Sequence, residues 1–162
     1  MRMNEGIEWV IHCCSVLATL PEGTALPARR LADFFDLPGH YLAKHLQSLS
    51  QAGLVKSAKG PGGGYMLSRP ATEITVLDIV QAIDGSAPYF QCTEIRRRGP
   101  SGVADHCYTR PCGIARIMWR AEKAWRNALS SVTLKDIQTT GLEETSAQQV
   151  EKSIEWFGNV LK

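Results

Sequence analysis

No apolar run in the 162-residue sequence approaches the roughly 18 residues needed to span a bilayer, so a membrane-spanning protein is not expected. An export signal is not expected either. The chain opens Met-Arg-Met-Asn-Glu-Gly, and the amphipathic segment that follows is interrupted by Glu8 and His12. The expected compartment is the reducing cytoplasm, where five cysteines read as metal ligands or redox thiols rather than as structural disulfides. A strong charge of one sign is absent: 18 Lys+Arg stand against 16 Asp+Glu, for a net charge of +2, which by itself does not announce nucleic acid. Internal repeats and low-complexity tracts are absent, which sets aside repeat arrays. What remains is 44% hydrophobic and 21% charged residues, an ordinary composition for one modest globular domain with an appendage.

The small positive excess is unevenly placed. Residues 91–126 carry eight Lys/Arg against three Asp/Glu, residues 127–162 three against five, and the first 69 residues seven against five. Residues 5–20 set Ile7, Val10, Ile11, Cys14, Leu17 and Ala18 at helical spacing, and Pro21-Glu-Gly23 ends that helix. Glu8 and His12, four apart, share one face of it. They are either an incidental polar pair or a carboxylate and an imidazole aimed at one metal. Cys13 and Cys14 point in different directions on a helix and read as small core residues.

Pro27 to Phe35 and His40 to Gln51 are two helical segments joined by the turn Asp36-Leu-Pro-Gly39, the helix-turn-helix pattern. In the second, Leu42, Ala43, Leu46, Leu49 and Ala52 form the buried stripe, and Gly53 caps it. His40, Tyr41, Lys44, His45, Gln47 and Ser48 lie off that stripe, where side chains reach phosphates or base edges from the major groove. Two short strand candidates, Leu54 to Ser57 and Tyr65 to Ser68, flank Ala-Lys-Gly-Pro-Gly-Gly-Gly64. A helix-turn-helix followed by such a hairpin is a winged helix, with Lys59 at the tip and Arg69 at the base suited to phosphate contact. A nucleotide-binding loop is disfavoured, because the Lys-Ser/Thr ending is missing.

Glu73 to Asp84 is a further amphipathic helix, capped by Thr72 or Thr75 and stopped by Gly85. From Cys92 to Cys112 the chain holds three cysteines, three consecutive arginines and a Gly/Pro-rich composition that does not pack a core by itself. Pro111 and Cys112 open a long helix through about Leu129, with the apolar seam Ile114, Ile117, Met118, Ala121, Trp125 and Leu129. A long helix with one unpartnered seam most often packs against its twin in a homodimer. Residues 131–140 read as a docking turn, 141–147 as a polar linker, and 149–161 as a last amphipathic helix. The expected fold class is mainly α: a winged helix-turn-helix with a small β-hairpin wing and a long dimerisation helix. The expected division is a DNA-binding domain over 1–85, a loop over 86–112, and dimerisation and C-terminal helices over 113–162.

Tyr41-Leu-Ala-Lys44, Ala52-Gly-Leu-Val55, the wing Gly60-Pro-Gly-Gly-Gly-Tyr65 with Leu67, and Ile74-Thr-Val-Leu-Asp-Ile-Val-Gln-Ala-Ile-Asp-Gly85 together resemble the Rrf-two winged-helix transcription regulators. Among the IscR, NsrR and RsrR types, the run Gly6 to Cys14 and the stretch Cys92-Thr-Glu-Ile-Arg96 are most similar to the RsrR type. The resemblance covers most of residues 1–130. It implies a non-enzymatic homodimer on a roughly palindromic operator in double-stranded DNA. In cluster-binding members it implies an iron–sulfur cluster held by loop cysteines, with a further ligand from the first helix of the other subunit or from a His after the last cysteine. The usual cysteines are about five residues apart; here fourteen separate Cys92 from Cys107 and four separate Cys107 from Cys112. Cys112 is followed by Gly-Ile-Ala, with no His nearby.

On that resemblance a [2Fe–2S] cluster takes four ligands, and the favoured set is Glu8, His12, Cys92 and Cys112, with Cys107 as the alternative third thiolate. Glu8 is the weakest of them, because a carboxylate matches iron bonded to sulfide poorly. The expected function is redox sensing. The alternatives are a nitric-oxide or iron-supply sensor with the same cofactor, and a thiol- or zinc-switched regulator without iron. A metalloenzyme is the remote alternative, since no nucleophile–base pair is evident.

Overall fold

Helical periodicity and capping side chains place the elements of the reading head. The computed structural model describes residues 3–60 and 62–161; Pro61 of the wing lies outside the described residues. Helix α1 (Glu5–Thr19) starts where the Asn4 side chain accepts the Gly6 N–H at 2.9 Å. Its apolar face buries Ile7, Val10, Cys13, Cys14 and Leu17. Helix α2 (Ala28–Phe35) follows Pro27 and ends at Asp36, whose φ of 53° breaks the helical run. Helix α3 (Gly39–Gln51) buries Leu42, Leu46 and Leu49 of the expected stripe, while Ala43 is half-buried and Ala52, expected to be buried with them, is exposed because the helix already ends there at its C-cap.

Strands β1 (Val55–Ala58) and β2 (Gly64–Leu67) pair antiparallel, with Val55 opposite Leu67 and Ser57 opposite Tyr65. Leu26 adds a bridge on the other side of β2, donating to the Tyr65 carbonyl at 2.9 Å and accepting from its N–H at 2.8 Å. The approach is so close that a Cβ at position 64 would collide with the Leu26 backbone, so glycine is required there. Helix α4 (Val76–Asp84) opens with a reciprocal capping box, Thr75 with Asp78, and stops at Gly85.

The long helix α5 (Gly113–Ser130) is divided in its packing. Trp125 and Leu129 lie on the head with Ile7, Val76 and Val80. Ile114, Ile117 and Met118 stay 66%, 58% and 42% exposed. Residues expected as a docking turn and linker instead form helix α6 (Leu134–Glu144), opened by a Thr133–Asp136 capping box. Helix α7 (Ala147–Val160) follows after a third box, Ser146 with Gln149. These helices pack back on the head. The Leu134 N–H donates to the Ile74 carbonyl at 2.8 Å, and the Leu134 side chain is fully buried in the main core. Phe157 and Val160 pack on that core, and Trp156 and Phe157 meet Phe34 of α2 at 4.9 and 5.2 Å between ring centroids.

Truncating Leu134 to Ala is expected to lower the free energy of unfolding by about 2–5 kcal/mol in a urea titration. A loss below about 1 kcal/mol, the level of a surface change, would contradict the docking of α6 into the core.

Candidate DNA-reading face and cysteine centre

The α3 stripe that is buried sets what faces outward. His40, Tyr41 and Lys44 are exposed, with the His40 and Tyr41 rings 4.1 Å apart, and Ser48 is half-buried. Lys59 is exposed at the wing, where Gly60 and Gly62 adopt positive φ and let the hairpin reverse. Two of the expected contact residues are engaged within the head. Arg69 donates to Asp78 at 3.2 Å, the same carboxylate that accepts the Thr75 N–H. His45 faces α1: its ring lies 6.3 Å from that of Trp9, edge-on, and it fills the space above Gly6, where a Cβ would fall inside the imidazole. Burial, then the charge of Lys44, keeps His45 below its ordinary pKa.

The opposite face of α1 is polar. Glu8 and His12 are both exposed, one turn apart, and the His12 ring lies 5.6 Å from that of Phe35 in α2. Cys13 and Cys14, by contrast, are fully buried. Burial pushes the Cys13 thiol up to about 12, and burial with the neighbouring Cys13 raises Cys14 further. Neither offers a thiolate.

The cysteine loop is anchored where it leaves the head. Arg126 of α5 donates to the carbonyls of Ser86 and Ala87 at 3.3 and 3.1 Å and pairs with Glu122 at 2.9 Å. Burial pushes the Glu122 carboxyl up, and hydrogen bonds from Arg126 and the backbone N–H groups of Tyr89 and Phe90 outweigh it, so it stays below the usual range. Tyr89 stands edge-on to Trp125 at 5.2 Å. Cys92 follows two residues after this anchor and is exposed, its Sγ accepting the Glu94 N–H at 3.4 Å. Cys112 is half-buried at the N-cap of α5. Cys107 is exposed at the end of a single 3-10 turn, Asp105–Cys107. Within one chain, the described residues bring no three His, Cys, Asp or Glu side chains into a common metal-holding group. No helix among them is long and apolar enough to cross a membrane.

Residues 3–140 match the Rrf2 family, described as an iron-dependent transcriptional regulator. The chain belongs to the Rrf2 family. Rv1287 of Mycobacterium tuberculosis strain H37Rv, named as an HTH-type transcriptional regulator, is 34% identical over 149 residues, spanning 91% of this chain and 88% of that protein. YwgB of Bacillus subtilis, named likewise, is 27% identical over 137 residues, 85% of this chain and 84% of that one. Among solved structures, the global cysteine regulator CymR of B. subtilis has a TM-score of 0.68 at 24% identity, covering 86% of this chain and 98% of its own. T. potens IscR has a TM-score of 0.67 at 23% identity, covering 91% and 93%. This Rrf2 member is therefore a winged-helix, DNA-binding transcriptional regulator and not an enzyme.

Sequence reasoning missed Gly6 as the seat of His45, and Glu94, Arg96 and Tyr108 as the frame of the cysteine loop. Three consecutive arginines were visible, but nothing in their spacing names the partners of Arg96.

Two outcomes follow for this Rrf2 member. In native, reduced, metal-free protein, a disulfide reagent should titrate three thiols quickly and all five only in denaturant; rapid reaction of four or more would contradict the burial of Cys13 and Cys14. Gly6→Ala should cost about 1–3 kcal/mol in chemical denaturation, as overpacking does. Adding His45→Ala should recover most of that loss, and no recovery would mean the two residues do not share the space.

Proposed function

We propose that this Rrf2 regulator acts in the cytoplasm as a homodimer on operator DNA. It senses redox state through a [2Fe–2S] cluster held by Glu8 and His12 of one subunit with Cys92 and Cys112 of the other. The supporting observation is a division of donors. Two accessible donors stand on the polar face of α1, two more at the anchored ends of the loop, and no group of three forms within one chain among the described residues. The exposed half of the α5 seam begins right after Cys112. A two-fold interface along that seam covers Ile114, Ile117 and Met118 and lets one subunit complete the site of the other.

The donor chemistry fits the group. Thiolates and imidazole suit iron bonded to sulfide, while a carboxylate is the hard, exchangeable member. The buried Cys13 and Cys14 are unsuited, and Cys107 is the alternative third thiolate. Bound there, the cluster supplies a one-electron change of charge.

The chain's own residues carry that change to DNA. His12 contacts Phe35 of α2, and Gly6 seats His45 of α3, so α1 touches both helices of the reading head. A small shift of α1 re-aims α3, and paired recognition helices must match half-sites about 34–36 Å apart. His40, Tyr41, Lys44, Ser48 and Lys59 are the direct DNA contacts of this reading. His45 and Arg69 join them only at the cost of their contacts with α1 and Asp78. The similarity of the Gly6 to Cys14 run to the RsrR type supports redox over nitric oxide or iron supply as the signal.

Anaerobically purified protein is expected to be brown, with visible absorption and iron that Cys112→Ala loses and Cys107→Ala keeps. Loss in Cys107→Ala would make Cys107 the third thiolate, and colourless zinc-binding protein would indicate a thiol- or zinc-switched regulator. Gel shifts of oxidised, reduced and apo protein on one DNA fragment at fixed salt should give different affinities. Equal affinities would remove the sensor and leave the winged helix.

A further inference from the structure

Arg96 stands between the two ends of the cysteine loop. Its Nε donates to Glu94 Oε1 at 2.5 Å and its Nη2 to Oε2 at 2.8 Å, a two-point fork on one carboxylate. The same Nη2 donates to the Arg110 carbonyl at 3.1 Å, fourteen residues along the chain. Each contact leads to a thiol. The Glu94 N–H donates to Cys92 Sγ, and Arg110 lies two residues before Cys112. The guanidinium also lies 5.3 Å from the ring centroid of Tyr108, whose hydroxyl donates back to the Arg96 carbonyl at 2.7 Å.

This frame has little to offer stability. Glu94 holds φ +46°, a region residues other than glycine rarely adopt, and the Arg96 pair is open to solvent, which screens its charges. None of the loop's side chains belongs to the buried core. A strained backbone and a rigid multi-point donor on the surface make sense when the return is position.

We propose that Arg96 is the positioning residue of the cysteine centre. It closes the loop, draws Cys92 and Cys112 toward one site before any metal arrives, and keeps a permanent positive charge beside them. The assignment rests on the reading of Cys92 and Cys112 as ligands of one site. Lysine cannot replace it, because a single ammonium does not span Glu94 and the Arg110 carbonyl as a planar fork does.

Wild type, Arg96→Ala, Arg96→Lys and Glu94→Gln are compared by three measurements. The first is binding of phenylarsine oxide, a trivalent arsenical that needs two thiols at once, to the apo-protein, with Cys112→Ala as the non-binding control. The second is iron loss to a chelator, and the third is the midpoint reduction potential. Arg96→Ala should bind the arsenical about 10-fold more weakly and lose iron about 10–100-fold faster, the range seen when outer-shell partners of a metal site are removed. Its potential should fall, because the lost positive charge favoured the more negative, reduced state. Arg96→Lys should share the arsenical and iron defects but keep the potential near wild type, and Glu94→Gln should show the first two defects in weaker form. Unchanged thermal unfolding across the set separates positioning from misfolding. Arg96→Ala with wild-type arsenical binding and iron retention overturns the assignment and leaves the cluster standing. Arg96-dependent arsenical binding in a wild type that never holds iron removes the cluster and leaves the clamp.

Discussion

The burial of one face of α1 is the constraint on which the other parts depend. Val10, Cys13 and Cys14 have no exposed surface, and Ile7 and Leu17 almost none. Each large apolar side chain buried in this way contributes about 1.5–3 kcal/mol, so the helix cannot rotate about its axis without losing several such terms. With the apolar face fixed inward, the helical period fixes Glu8 and His12 outward. The core therefore aims the candidate ligands, although neither is part of it.

The cysteine loop is held by a different kind of force. Its anchor is the Glu122–Arg126 pair on α5, which fastens residues 86–90, and its interior is framed by the Arg96 fork. Polar contacts of this kind are directional and short-ranged, which suits the placement of thiols more than the storage of stability. The two regimes meet on α5. Its second half belongs to the head through Trp125 and Leu129, while its first half carries Cys112 and an apolar seam with no partner in its own chain among the described residues. On the proposed reading, the association of two chains and the completion of a cysteine centre are demands made by the same half-helix.

The head was legible in the sequence because its signals are local. The α3 stripe, the Thr75 cap with the Gly85 stop, and the glycines of the wing each act within a few residues. Helix α6 was not read, because Gly141 and a polar run suggested a linker. Gly141 lies within the helix with open space beside it, a position where glycine costs only about 1 kcal/mol against alanine. The Thr133–Asp136 box that starts α6 was visible and is what should have outweighed it. In the candidate site, periodicity places His45 off the core stripe but cannot reveal that Gly6, on another helix, leaves room for its ring. Likewise no spacing rule joins Arg96 to the Arg110 carbonyl.

If α1 receives the signal as proposed, the scale of the forces decides how that signal would reach DNA. Coupling between distant sites is typically about 1–3 kcal/mol, close to the contribution of one buried side chain. The core face of α1 carries several, so a signal of that size cannot bend or unseat the helix and must move it as a body. The contacts that yield are those of comparable strength at the polar and proximal surfaces: His12 on Phe35 of α2, and His45 above Gly6. Each links α1 to a different helix of the reading head. A small displacement therefore changes the two contacts together and alters the set of α3 relative to the wing, while the fifteen-residue helix itself stays intact.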